Sequence, residues 1–124
     1  MRLTKNFNLS EFDCKDGSEM PSELLPNVLE LAENLQVLRD FVGMPIKINS
    51  AYRSLEHNSK ISGASNSSQH LFAKAADIVI ESKSPEQVAN IIKALISEGK
   101  MKQGGISAYN TFTHYDIRGH KARW

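Results

Sequence analysis

The stretch Ser68-Gln69-His70-Leu71-Phe72-Ala73-Lys74-Ala75-Ala76-Asp77 runs from a small polar segment into an apolar one that continues as Ile78-Val79-Ile80. Ala75 to Ile80 is short, apolar and partly β-branched, the pattern of a central, buried strand. Asp77 breaks that pattern, because an unpaired carboxylate inside an apolar strand is costly. A second apolar run, Phe112-Thr113-His114-Tyr115-Asp116-Ile117, is broken in the same way by His114 and Asp116. Alternation along a strand puts those two side chains on one face.

Other elements extend outward from these runs. Gly104-Gly105-Ile106-Ser107 and Phe112 to Ile117 read as two strands of a hairpin, and Pro45 introduces an alternating strand, Ile46-Lys47-Ile48-Asn49. Leu25, Val28, Leu29, Ala32, Leu35, Leu38 and Val42 recur at helical spacing between a Ser22 cap and a Gly43 stop. Ser84-Pro85-Glu86-Gln87 is a capping-box start for a helix whose stripe is Val88, Ile91, Ile92 and Leu95, ended by Gly99. A short helix is expected from about Leu55 to Ile61, closed by Gly63, with a loop over 63–68. The first twenty residues read as irregular, apart from a helical turn at Ser10-Glu11-Phe12 and a turn at Asp16-Gly17-Ser18. The order of elements predicts an α+β fold with a small, largely antiparallel sheet flanked by helices.

A chain of 124 residues is expected to form one domain, 1–124. Its 40% hydrophobic and 23% charged residues are ordinary for a globular protein. A net charge of +1 supplies no basic field for nucleic acid. Cys14 is the only cysteine, which rules out an intramolecular disulfide and makes a cysteine-based metal site unexpected. The N-terminus lacks the apolar run of a signal peptide, and no stretch is long enough to span a membrane. The expectation is a monomer made in the cytoplasm, which would reach a cell wall only if released or carried there.

His70, Asp77 and His114 are nitrogen and oxygen donors at element ends, a set that suits one zinc ion with an open coordination position. Taken singly, each is more often structural: a histidine hydrogen-bonded in place, or an aspartate paired with an arginine. Spacing alone leaves the two readings balanced. His57, on a short polar helix, and His120, in a basic tail, read as surface residues.

These motifs resemble those of the zinc peptidases that include D-alanyl-D-alanine carboxypeptidases, vancomycin-resistance D,D-dipeptidases and L-alanyl-D-glutamate endolysins. Their pattern of S-x-H, A-x-D and a later H-x-D or H-x-H corresponds to Ser68-Gln69-His70, Ala75-Ala76-Asp77 and His114-Tyr115-Asp116. Their S-G-Y-R-S element and following Asn correspond to Ser50-Ala51-Tyr52-Arg53-Ser54 and Asn58. Leu9-Ser10-Glu11-Phe12, Gly104-Gly105-Ile106 and the end of the chain, from Asp116 to Gly119 and on through Arg123-Trp124, look like a compact, phage- or prophage-associated branch. The resemblance implies a hedgehog- and D,D-peptidase-like fold, zinc held by His70, Asp77 and His114, and hydrolysis of D-residue-containing peptidoglycan peptides. It also implies that Arg53 stabilises substrate or intermediate charge and that Ser68 hydrogen-bonds substrate.

Two positions depart from the family pattern. Ala73 replaces a glycine, a small change unless the backbone there needs a positive φ. Thr111 stands where many relatives carry a carboxylate base. Asp116 is then the local substitute, either as a base or as a partner of His114, its structural alternative being an ion pair with Arg118 or Arg123. The alternative function is a non-catalytic zinc module that binds cell wall or belongs to a phage particle.

Overall fold

The computed structural model describes residues 1–60 and 68–124. The strands are β1 (Arg2–Thr4), β2 (Phe7–Asn8), β3 (Ile46–Ser50), β4 (Ala75–Ile80), β5 (Gly105–Ala108), β6 (Thr113–Asp116) and β7 (Ala122–Arg123), and the helices are α1 (Leu25–Val42), α2 (Leu55–Ser59) and α3 (Pro85–Ser97). β1 and β2 form a small antiparallel pair. The other five strands form one sheet in the order β3-β4-β6-β5-β7, antiparallel except for the parallel β5–β7 edge. This is the α+β architecture that the order of elements predicts.

Alternation divides the sheet into two faces. Ile46, Ile48, Ile78, Ile80, Ala76, Tyr115 and Ile106 are buried in a core shared with Val28, Leu31, Leu35 and Leu38 of α1 and with Val88, Ile92 and Leu95 of α3. Asp77, His114 and Ser107 lie on the opposite face, at paired positions of neighbouring strands.

Local structure departs from the sequence expectations in four places. Ser22 does not cap α1: residues Ser22–Leu24 make a 3-10 turn, and the helix begins at Leu25 with a proline in its first turn. Leu29 is partly exposed and Leu31 is buried in its place, so the apolar stripe follows 28, 31, 35 and 38. The N-terminal residues are not irregular. β1 and β2 pair, and a capping box formed by Asn8 and Glu11 closes the 3-10 turn Leu9–Phe12. The C-terminal tail adds β7 to the sheet, because Gly105 and Ile106 offer an edge for it. The Ser84–Gln87 capping box forms as expected. α2 is capped by Ser54, whose side chain accepts from the His57 N–H. The expected continuation of α2 to Ile61, Gly63 and the following loop as far as 67 lie outside the described residues.

Gly104 and Gly105 let β5 approach the end of β6 closely. A Cβ at Gly104 would collide with the backbone carbonyl of Asp116, and one at Gly105 with the Asp116 carboxylate. Backbone cannot move aside as a flexible side chain can. Gly104→Ala is therefore expected to destabilise the protein by at least the about 1–3 kcal/mol typical of overpacking. Urea denaturation, reading a fall in midpoint at unchanged slope, checks this.

Candidate metal centre

The centre begins with a cross-strand pair. Asp77 of β4 and His114 of β6 are direct partners in the antiparallel ladder, which puts their side chains next to each other on one face. Asp77 Oδ1 lies 3.1 Å from His114 Nδ1. The third member comes from the 3-10 turn Gln69–Phe72, where Ser68 Oγ accepts the His70 N–H at 3.2 Å and starts the turn. That turn brings His70 Nε2 to 3.3 Å from Asp77 Oδ1. One ligand atom from each of the three residues lies within 4.8 Å of the other two, and all three residues are buried.

The turn ends at Ala73 with φ 57° and ψ 30°, a left-handed conformation. The backbone there does need a positive φ, so the Gly-to-Ala departure carries a cost. For an L-residue that cost is about 1–2 kcal/mol. The Ala73 methyl is buried in the core, which returns about 0.8 kcal/mol. The two effects largely offset, and alanine is tolerated.

Each imidazole has one nitrogen committed away from the cluster. His70 Nδ1 lies 2.6 Å from the Ala51 carbonyl oxygen, which can only accept, so Nδ1 carries the proton and Nε2 presents a lone pair. His114 Nε2 lies 2.7 Å from Asp116 Oδ2, and by the same logic Nδ1 presents the lone pair of the neutral ring. Three acceptors, two nitrogens and a carboxylate oxygen, thus face one another with no donor of their own. A proton or a cation must sit among them. This donor set fits a zinc ion, with partners that orient each ligand.

Asp116 does not reach the ligand face. It is fully buried on the far side of the His114 ring. Its Oδ1 accepts from Gly105 N at 2.9 Å, Arg118 N at 3.1 Å and Arg118 Nε at 2.8 Å. Its Oδ2 accepts from Arg118 Nη2 at 2.7 Å and from His114. Burial works to raise its pKa, but the bonds from His114, Arg118 and Gly105 outweigh burial and hold the carboxyl well below the usual range. Of the two arginines weighed as its partner, Arg118 makes the pair. Arg123 instead bonds the carbonyls of Gly104 and Ala122 and the Gln103 side chain.

Arg53 comes from the segment after β3, where a register shift between Ile48 and Ser50 turns the strand end toward the site. Its Nη2 donates to Asp77 Oδ2 at 3.1 Å, Nε to Ser50 Oγ at 3.2 Å and Nη1 to Asn58 Oδ1 at 3.4 Å. The ion pair weighed as an alternative to a metal ligand is therefore present, but it uses the other oxygen of Asp77. Thr111 is exposed. Sequence reasoning gave no role to the aromatic groups beside His114. The Trp124 ring lies 5.0 Å from the His114 ring, its Nε1 donates to Tyr109 Oη at 2.7 Å, and Tyr109 stacks on Phe112. Their only sequence signal is aromatic residues next to strand ends.

The pKa shifts set a pH window for the metal-free protein. Burial disfavours charge on His114, but its bonds to Asp116 and Asp77 outweigh that and raise its pKa above the ordinary 6.5. Its stabilising contribution is complete below about pH 6.5 and is lost as pH rises through the raised value. Burial likewise opposes charge on Asp77, but bonds to His114 and His70 win and lower its pKa, as happens at Asp116. Their contribution is complete above about pH 4 and is lost as pH falls through the lowered values. Thermal midpoints measured in chelator are expected to peak between these limits. Saturating zinc should remove the alkaline loss, because the cation replaces the proton.

A search of curated proteins finds no match. The Peptidase M15 family model matches residues 3–116. That match spans both core helices, strands β2 to β6 and all three residues of the cluster, and the chain belongs to the Peptidase M15 family.

Proposed function

We propose that the chain is a zinc-dependent peptidase that hydrolyses amide bonds in peptidoglycan peptides, in D-residue-containing stems or crosslinks. The observation that carries this reading is the convergence of the His70, Asp77 and His114 acceptor atoms, each imidazole turned to the cluster by a bond on its other nitrogen. Membership of a peptidase family supports it. Zinc bound there would supply a Lewis acid and a water activated near neutral pH.

The chain's own residues do the rest. Asp116 holds His114 in the tautomer that offers Nδ1, and Arg118 keeps Asp116 charged. We assign Asp116 this positioning role and not that of general base, since its bonds go to the far nitrogen of His114, to Gly105 and to Arg118, and none to the side where the three acceptor atoms meet. Arg53, already oriented by Ser50, Asn58 and Asp77, has more N–H groups than these three acceptors use among the described residues. It would take the substrate's carboxylate or the oxyanion that forms on the scissile carbonyl. Ser68 orders the His70 turn through its oxygen and can still donate its O–H to substrate. Trp124, held through its Nε1 by Tyr109, walls one side of His114 and would limit water there. Release from a lysed cell, or carriage on a phage-type particle, would bring the chain to the wall.

Thr111 and the fully engaged Asp116 favour a second reading, a non-catalytic zinc module that binds wall or forms part of a phage structure. Digestion of purified muropeptides separates the two. The zinc-loaded protein is expected to release new amine ends, chelator to stop this, and added zinc to restore it. Cleavage that persists in chelator would sink the metal mechanism, and murein bound but left intact by zinc-loaded protein would favour the module. Asp116→Asn is expected to weaken zinc retention about 10–100-fold, as loss of an orienting partner does. Competition against a chromophoric chelator measures it.

A further inference from the structure

A second group of potential ligands lies outside this centre. Cys14, Asp16 and His57 each place one ligand atom within 4.8 Å of the other two. They come from two separate segments, the loop after the 3-10 turn Leu9–Phe12 and the short helix α2, 43 positions apart at the extremes. Ser54 joins the segments. Its N–H donates to Cys14 Sγ at 3.3 Å, its Oγ donates to Asp16 Oδ2 at 2.9 Å, and the same Oγ accepts the His57 N–H at 3.1 Å. Tyr52 N adds a backbone bond to Phe12 O at 3.1 Å. Asp16 is further fixed by Ser18 N–H on Oδ1 at 2.8 Å. The Cys14 sulfur and the Asp16 carboxylate are thus held by bonds from Ser54 and Ser18, and the backbone of His57 is tied to the same Ser54, with no ion needed to assemble them.

We propose that Cys14, Asp16 and His57 form a second metal site, for a single divalent transition-metal ion of borderline softness such as zinc or cobalt(II). Sulfur, oxygen and nitrogen donors in one cluster suit such ions and do not suit magnesium or calcium. A backbone N–H aimed at the sulfur matches the needs of a metal-bound thiolate, and binding would release the thiol proton to solvent. The thiolate and the Asp16 carboxylate together balance the ion's two positive charges. Asp16 is exposed and His57 partly so, which leaves a solvent-facing entry path. From sequence a cysteine-based metal site is unexpected and His57 reads as a surface residue; the proposal gives the two residues a joint role. The site also has a mechanical consequence. Arg53 is the residue before Ser54, and its N–H bonds His70 O at 3.0 Å. An ion bridging Cys14 and His57 would clamp the corner from which Arg53 reaches Asp77.

Cys14 is the only cysteine, so a sulfur-to-metal charge-transfer band can report on this site alone. The His70–Asp77–His114 centre contains no sulfur and cannot mimic or mask it. Reduced, metal-free, full-length protein is titrated with cobalt(II) and followed in the near ultraviolet. The expected result is a thiolate-to-cobalt band that zinc displaces, with the thiol protected from a disulfide reagent while metal is bound. Cys14→Ser should lose the band. Because burial of Cys14 puts the folding of that variant at risk, His57→Ala and Asp16→Ala serve as partly exposed and exposed controls. Each should need about tenfold or more cobalt for the same band, since removing a direct ligand should cost at least what removing an outer partner does. No band from wild-type protein at excess cobalt would overturn the proposal. A band that both His57→Ala and Asp16→Ala leave unchanged would overturn it too, by showing only an isolated thiol adduct.

Discussion

The antiparallel pairing of Asp77 with His114 is the constraint on which the rest of the centre depends. It puts a carboxylate and an imidazole in contact on the sheet face opposite the helical core. The strand ladder fixes their spacing, which is more rigid than a loop could make it. Each remaining feature brings one further group to that fixed pair. Just past the register shift at the end of β3, Ala51 O meets His70 and Arg53 meets Asp77. The left-handed Ala73 ends the turn that carries His70. Gly104 and Gly105 leave room for Asp116 behind His114.

With both imidazoles neutral, the protein's own charges at the centre balance. Asp77 pairs with Arg53 and Asp116 with Arg118, so two carboxylates meet two guanidiniums. Both histidines are neutral when they act as ligands. A divalent ion entering this set would keep its charge largely uncompensated by the protein, which raises its pull on anionic ligands. A ligand that carries a free carboxylate is favoured electrostatically.

Much of this was legible in the sequence because costly features stand out against a simple pattern. A carboxylate in Ala75–Ile80 and a histidine in Thr113–Asp116 both violate strand hydrophobicity, and the violation marks the place where a partner is required. The capping box at Ser84 was legible because it is local. What stayed hidden depends on long-range contacts. The burial of Leu31 over Leu29 turns on how α1 meets the sheet, and β7 forms only because Gly105 and Ile106 present an edge to Ala122 and Arg123. The role of Asp116 could not be read from alternation. Alternation puts it on the face of His114, but only the ring orientation shows that it meets Nε2 and not Nδ1. The grouping of Cys14 with His57 is of the same kind, since no local pattern links a loop cysteine to a helical histidine 43 positions away.

The missing carboxylate at position 111 bears on rate more than on reaction type. A positioned general base contributes about 10²–10⁴-fold, whereas enzymes as a class accelerate their reactions by about 10⁶–10¹⁷-fold. Electrostatic stabilisation of developing charge is usually the largest single part of that total. The chain retains the groups for that part: three converging ligand atoms and a guanidinium fixed beside them. Among the described residues, the two carboxylates of the centre are both committed, Asp77 to the cluster and Arg53, Asp116 to five donors. A proton acceptor would then have to come from solvent or from the substrate's own carboxylate. On the proposed reading, a peptidase built this way would be slower than one with a dedicated base by a few powers of ten, and the loss would fall on rate without removing the metal-assisted part of the acceleration.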